Sequence, residues 1–207
     1  PFSKECVLDQ LRNAYPSCVL FAVDTGAACF VGASPESLVR LEESKLSLSC
    51  LAGSAPRGET LEDDQRSEHN LLVSRKDRAE HDAVVSMLVE ALDGASDDVE
   101  WNAEPTVVRL PTVQHLATSF KGRIKKGIDI LDLVQRLHPT PAVGGTPTEK
   151  ALAMIRCLEG DRGWYAAPVG WVDQRGEGEF CVAIRSALLR GNEATLYAGA
   201  GIVHGSN

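Results

Sequence analysis

The sequence is poor in aromatic residues, 5% of 207, and has two methionines. Its core must therefore be filled mainly by aliphatic side chains and thiols. It also lacks a long apolar run. The longest, such as Cys18–Val23, extends about six residues, far short of the roughly 20 that span a bilayer as a helix. Cations are in deficit, with a net charge of −8. That balance argues against a nucleic-acid partner, because phosphate contacts need clustered Lys and Arg. It leaves room for a small anionic ligand, which needs one or two local cations or a metal. No C-x-x-C occurs and no cysteine has a histidine at zinc-finger spacing, which argues against a structural zinc site. A Walker A loop, a nucleophile elbow and a dinucleotide fingerprint are all missing. Lys4 and Glu5 lead into a mixed helical pattern, not the apolar stretch of a signal peptide. Together these absences predict a cytoplasmic protein with neither membrane nor nucleic acid as partner.

What remains is ordinary for a globular chain: 43% hydrophobic and 24% charged residues. The length allows about one domain with a sizeable core. The chain starts at Pro1 and its last residues, His204–Asn207, directly follow an apolar strand. We expect a single domain over residues 1–207, truncated at both ends. Cys18, Cys29, Cys50 and Cys181 lie in apolar strand-like runs and are expected to be buried, reduced thiols.

Periodicity sets the elements. Val7, Leu8, Leu11 and Ala14 have helical spacing within Lys4–Ala14. Cys18–Val23 and Ala28–Gly32 flank Asp24-Thr25-Gly26, a hairpin signal, and Ser37–Leu41 with Lys45–Leu51 suggests a second hairpin. A loop rich in Gly and Pro covers Ala52–Gly58. Leu61–Leu92 is then predicted as one long helix with Leu71, Leu72, Ala79, Val84, Leu88, Val89 and Leu92 as its buried stripe. Further strands are expected at Val107–Leu110, Gln114–Gly122, Tyr165–Val172, Glu179–Leu189 and Ala194–Val203, and helices at Ile130–Leu137 and Thr148–Leu158. Strands joined by short turns pair antiparallel, and the helices come in separate blocks. The pattern predicts an α+β fold of antiparallel sheets covered by helices.

Five places could carry chemistry. Glu36, at a strand end behind Pro35, could act as a general acid if burial raised its pKa; a surface turn glutamate is the competing reading. Asp77, Glu80 and His81 fall at i, i+3 and i+4 on one helix face, so the two carboxylates could hold a hard cation such as Mg²⁺, against the alternative of a solvated charged face. The upstream run Glu62-Asp63-Asp64 is expected to be only the solvated first turn of the helix. His115 could bond a substrate hydroxyl or be a satisfied structural histidine. The segment 138–147 holds three prolines and two glycines, a rigid loop that could close on a ligand or simply connect. Arg185 lies in an apolar run, where a buried charge must be paired; it could clamp a carboxylate, or belong to an internal ion pair, or face outward. The small residues Ala198–Gly201 would let a ligand approach the backbone, or simply mark a bend that tolerates glycine.

These same segments resemble the chorismate-utilising enzymes, from Ser34-Pro35-Glu36 to Gly201-Ile202-Val203. Within that family, the runs 138–145, 161–166, 179–187 and 197–203 resemble isochorismate synthases most. The resemblance implies roles: Glu36 as the acid that protonates the departing ring hydroxyl, Glu80 as a Mg²⁺ ligand, and Arg185 and Tyr165 as contacts to the pyruvyl carboxylate of chorismate. Gly199 and Gly201 would supply backbone donors, and His115 and Ser54 would line the substrate ring, His115 close to the reacting atoms. Ala142 stands where threonine is usual in relatives that make anthranilate, aminodeoxychorismate or salicylate, so its small side chain favours isochorismate. The family's base, a lysine, and its remaining metal glutamates match no residue here. The resemblance thus places them outside this segment and implies that the segment alone is inactive.

Overall fold

The structure, a computed structural model, describes residues 3–202. Helix α1 (Lys4–Ala14) is followed by two hairpins, β1 (Val19–Asp24) with β2 (Cys29–Ser34) and β3 (Ser37–Glu42) with β4 (Lys45–Pro56). Two helices come next, α2 (Leu61–Val73) and α3 (Arg75–Leu92). Then come β5 (Glu100–Trp101), β6 (Thr106–Arg109) and β7 (Val113–Arg123). The helices α4 (Ile130–Leu137), α5 (Pro141–Gly144) and α6 (Thr148–Glu159) precede the last strands, β8 (Pro168–Val172), β9 (Gly178–Val182), β10 (Ser186–Arg190) and β11 (Glu193–Leu196).

The expected α+β architecture is what forms. Among the described residues the named strands make a four-stranded sheet in the order β1-β2-β10-β11 and a larger one in the order β5-β7-β4-β3-β9-β8, with β6 also on β7. Every pairing between them is antiparallel.

Side-chain alternation explains the layering. Along β2, Cys29 and Val31 face Val7 and Leu8 of α1, while Phe30 between them faces the other way, onto Phe21, Cys181 and Ala183. Both faces of β2 are thus covered and all six of its residues are buried. Along β4, Leu46, Leu48, Cys50 and Ala52 alternate onto the main core, where Val84, Leu88 and Leu92 of α3 and Ile130, Leu133 and Leu137 of α4 cover the larger sheet. Cys18, Cys29, Cys50 and Cys181 are buried free thiols, as expected.

Five expectations need correction. The run Ala52–Gly58, expected to be a loop, is strand as far as Pro56, where β4 continues along β7. The long helix breaks at Ser74, which is extended (φ −66°, ψ 116°) and caps α3 by accepting the Asp77 amide. Periodicity continues across such a break because both helices pack on the same sheet, each against β4 and β7, so it does not show in the pattern; Ala79, placed in the stripe, is exposed. Of Tyr165–Val172 only the part from Pro168 onward is strand. Glu179–Leu189 is two strands, because the chain leaves the larger sheet after Val182 and enters the smaller one at Ser186. The last strand stops at Leu196; residues 197–202 have no regular structure, and Val203 lies outside the described residues.

Candidate functional site

The site grows from two crossovers between the sheets. The chain passes from β2 to β3 through Ser34-Pro35-Glu36 and returns from β9 to β10 through Ala183-Ile184-Arg185. The crossovers are bonded to each other. Ser34 Oγ donates to the Val182 carbonyl (2.6 Å), the Val182 amide to the Glu36 carbonyl (3.0 Å), and the Ala33 amide to the Arg185 carbonyl (3.2 Å). Arg185 turns in the left-handed region at φ 51°, a strained conformation for a side chain of its size.

Glu36 is not a surface turn residue. It is 9% exposed, and burial raises its pKa to about 7. Its Oε1 accepts a hydrogen bond from the Thr140 hydroxyl at 3.4 Å, which also ties it to α5, the short helix that carries Ala142. Arg185 is half-buried and has no ion-pair partner among the described residues, so the internal-pair alternative does not hold.

His115 lies opposite Ser54 across β7 and β4, where Gly53 (φ 74°) forms a bulge against α3. The bulge turns Ser54 toward the ring, and Ser54 Oγ lies 2.8 Å from His115 Nδ1. Burial, then the nearby Arg185 charge, holds the His115 pKa below its usual value, so the ring is neutral near pH 7. Tyr165 stacks on Tyr197 with centroids 5.3 Å apart and planes at 11°, and the Arg162 guanidinium lies 5.8 Å from its ring centre.

The two glycines fit against these groups closely. A Cβ at Gly199 would lie 2.5 Å from Tyr165 Oη, and one at Gly201 would lie 3.0 Å from Glu80 Oε1. Cys50 links the carboxylates: burial, followed by the charges of Glu36 and Glu80, pushes its thiol up to about 12. The nine residues to which the resemblance gives roles thus lie on elements joined by these contacts. Two cavities of about 570 and 440 Å³ lie elsewhere, against Arg40, Lys45 and Lys121 and against α6. The chemistry of its side chains, not enclosure, marks this site.

The helix-face cluster loses two members. His81 is 1% exposed and satisfied, with Nε2 2.8 Å from Thr118 Oγ1 and Nδ1 3.2 Å from the Ala52 carbonyl. Asp77 is committed to Ser74 at the helix cap. Glu80 makes no ion pair or side-chain hydrogen bond among the described residues. Among the described residues no group of three or more His, Cys, Asp or Glu is gathered as a metal cage. A hard oxygen donor suits Mg²⁺, which commonly takes one or two carboxylates plus substrate oxygens and water. Glu80 therefore fits as a single ligand of a shared ion.

Thr140 and Tyr197 were given no role from sequence, although both lie in segments singled out there. Their contacts are across 104 residues for Thr140–Glu36 and 32 for Tyr197–Tyr165, beyond any local pattern.

A sequence profile of the family described as chorismate binding enzyme matches residues 1–207. The chain belongs to that family. It is 44% identical over all its length to isochorismate synthase MenF of Bacillus subtilis, covering 44% of that protein. It is 48% identical over 95% of its length to the salicylate biosynthesis isochorismate synthase of Pseudomonas aeruginosa, covering 42% of it. A solved structure described as a putative 2,3-dihydroxybenzoate-specific isochorismate synthase, DhbC from Bacillus anthracis, superposes with a TM-score of 0.95 at 37% identity, over all of this chain and 57% of that one. The chain thus spans under half the length of these curated relatives. Its fold is the chorismate-binding fold, and no helix among the described residues is long and apolar enough to cross a membrane.

Proposed function

We propose that the protein carrying this chain is an isochorismate synthase, an isomerase that converts chorismate to isochorismate. The observation that carries this reading is a buried carboxyl with a pKa of about 7, Glu36, on a crossover bonded to the one that holds Arg185, whose guanidinium has no ion-pair partner among the described residues. Chorismate is a dianion with a hydroxylated ring. Arg185 binds one of its carboxylates through a forked, charge-assisted contact, with Tyr165 and the amides of Gly199 and Gly201 beside it. His115, neutral and held by Ser54, lines the ring.

The reaction adds water at one ring carbon while the hydroxyl leaves another. Glu36, protonated near neutral pH, gives its proton to the departing hydroxyl, which leaves as water. A base takes a proton from the incoming water; the family resemblance makes it a lysine outside this chain. Mg²⁺, with Glu80 as this chain's ligand, would neutralise the other substrate carboxylate. Ala142 supports isochorismate as the product over salicylate or anthranilate.

The test is to incubate the full-length protein with chorismate and Mg²⁺, with and without ammonia, and to separate the products by chromatography. Isochorismate as main product is expected. Salicylate as main product, or ammonia-dependent anthranilate, overturns the reading. Glu80→Ala should shift the Mg²⁺ titration of activity to higher concentration, and an unaltered titration removes Glu80 from the metal site.

A further inference from the structure

Thr140 is the N-cap of α5, at φ −69° and ψ 156°. A threonine in that place ordinarily turns its hydroxyl onto the second or third amide of the helix. Here the hydroxyl makes no capping bond. It reaches Glu36 Oε1 instead, at 3.4 Å, and Thr140 is itself only 4% exposed. The backbone of α5 is fixed without that hydroxyl. The amides of Val143 and Gly144 donate to the Thr140 carbonyl at 3.1 and 2.8 Å, and Arg162 Nη1 donates to the Val143 carbonyl at 2.7 Å. The side chain at the cap is therefore spare, and it is spent on the acid.

The other titratable groups around Glu36 are Cys50 on β4, Cys181 on β9 and Tyr165 before β8. Burial raises the pKa of each, so all three are neutral near pH 7. Among the described residues, Thr140 alone donates to the Glu36 carboxyl.

We propose that Thr140 is a positioning residue for the reaction, its hydroxyl fixing the orientation of the Glu36 carboxyl and steadying the carboxylate left when the proton has gone to the departing hydroxyl. This rests on the reading of Glu36 as general acid. A donor hydroxyl favours the ionised form, so it counters part of the burial effect and makes Glu36 a stronger acid than its surroundings alone would allow.

The experiment uses the full-length protein with Thr140→Val, which keeps shape and loses the donor, and Thr140→Ser, which keeps the donor. Glu36 is titrated by carbon-13 NMR of labelled glutamate, its signal assigned with Glu36→Gln. The valine variant should titrate about 1 pH unit higher than wild type, and the serine variant close to wild type. In the valine variant kcat should fall about tenfold with KM little changed, and the alkaline limb of the kcat profile should move up in pH. Should the valine variant not fold, Thr140→Ala makes the same comparison. An unchanged Glu36 titration in a folded variant lacking the donor overturns the proposal. If the titration shifts but the wild type forms no isochorismate, the reading of the activity fails while the Thr140–Glu36 bond stands.

Discussion

Burial of the Glu36 carboxyl disfavours its ionised form in the folded protein, and stability should record it. The unfolded chain ionises at the ordinary value of 4.5 and the folded one at about 7. Between those values the folded state holds a proton that the unfolded state has released, so stability falls as pH rises through that window and levels off above it. The full loss is about 3 kcal/mol, at 1.36 kcal/mol per unit. Glu36→Gln removes this dependence. Chemical denaturation of the full-length protein at pH 5 and pH 8 should show the variant gaining on the wild type at the higher pH. The same variant should lose turnover by roughly 10²- to 10⁴-fold. A parallel pH dependence in both proteins would mean that Glu36 does not ionise in this range, and unchanged turnover would remove it from the mechanism. Both effects come from one carboxyl, which separates them from a general loss of fold.

At the scale of elements, a buried ionic clasp joins α2 to its neighbours. Asp64, expected to be solvated in the first turn, is 6% exposed. Arg57 holds it with Nε at 2.7 Å and Nη2 at 2.8 Å, the Gly58 amide donates at 3.0 Å, and Arg109 of β6 lies within 3.7 Å. The Arg57 hydrogen bond, first of all, brings the Asp64 pKa down to about 2. The clasp thus stabilises the fold above the ordinary value of 3.8 and loses its effect as pH falls toward 2. Asp64→Asn should lower Tm at pH 7 by an amount that disappears in strong acid; an equal Tm at pH 7 would show the clasp to be neutral. Sequence concealed Asp64 because Glu62, Asp63 and Asp64 are alike until Arg57, seven residues upstream, folds back. The same reason divides the rest. Hairpins with local turns and the amphipathic α4 were legible, since their signals are short-range. The break after Val182 was not, because Phe180–Ala187 is apolar apart from Arg185 and Ser186 and only pairing shows that it serves two sheets. Arg185 was legible as a candidate from a charge in an apolar run and Glu36 from its place at a strand end behind Pro35, whereas Thr140 needed the fold to find its partner.

The whole molecule converges on the seam where the sheets exchange strands. Phe21 and Phe30, with centroids 5.5 Å apart, fill it from the smaller sheet, and Cys181 and Ala183 meet them from the other side. Gly32 is paired with Phe21 across β1 and β2, and the ring occupies the space a side chain would need. A Cβ at Gly32 would fall 2.3 Å from Phe21 Cζ and 3.1 Å from the Arg185 carbonyl oxygen. Glycine here is thus set by packing and couples the core to the crossover that carries Arg185. Gly32→Ala should push the ring aside and press on that carbonyl, lowering stability by about 1–3 kcal/mol, as overpacking commonly does. Turnover should fall with it, because the displaced backbone holds the guanidinium. Phe21→Leu alone should cost stability through lost packing, yet combined with Gly32→Ala it should recover part of the alanine penalty. Thermal unfolding and chorismate turnover of the full-length single and double variants make a closed cycle. A coupling above about 0.5 kcal/mol marks direct contact, and strict additivity would show that the ring and the glycine act apart.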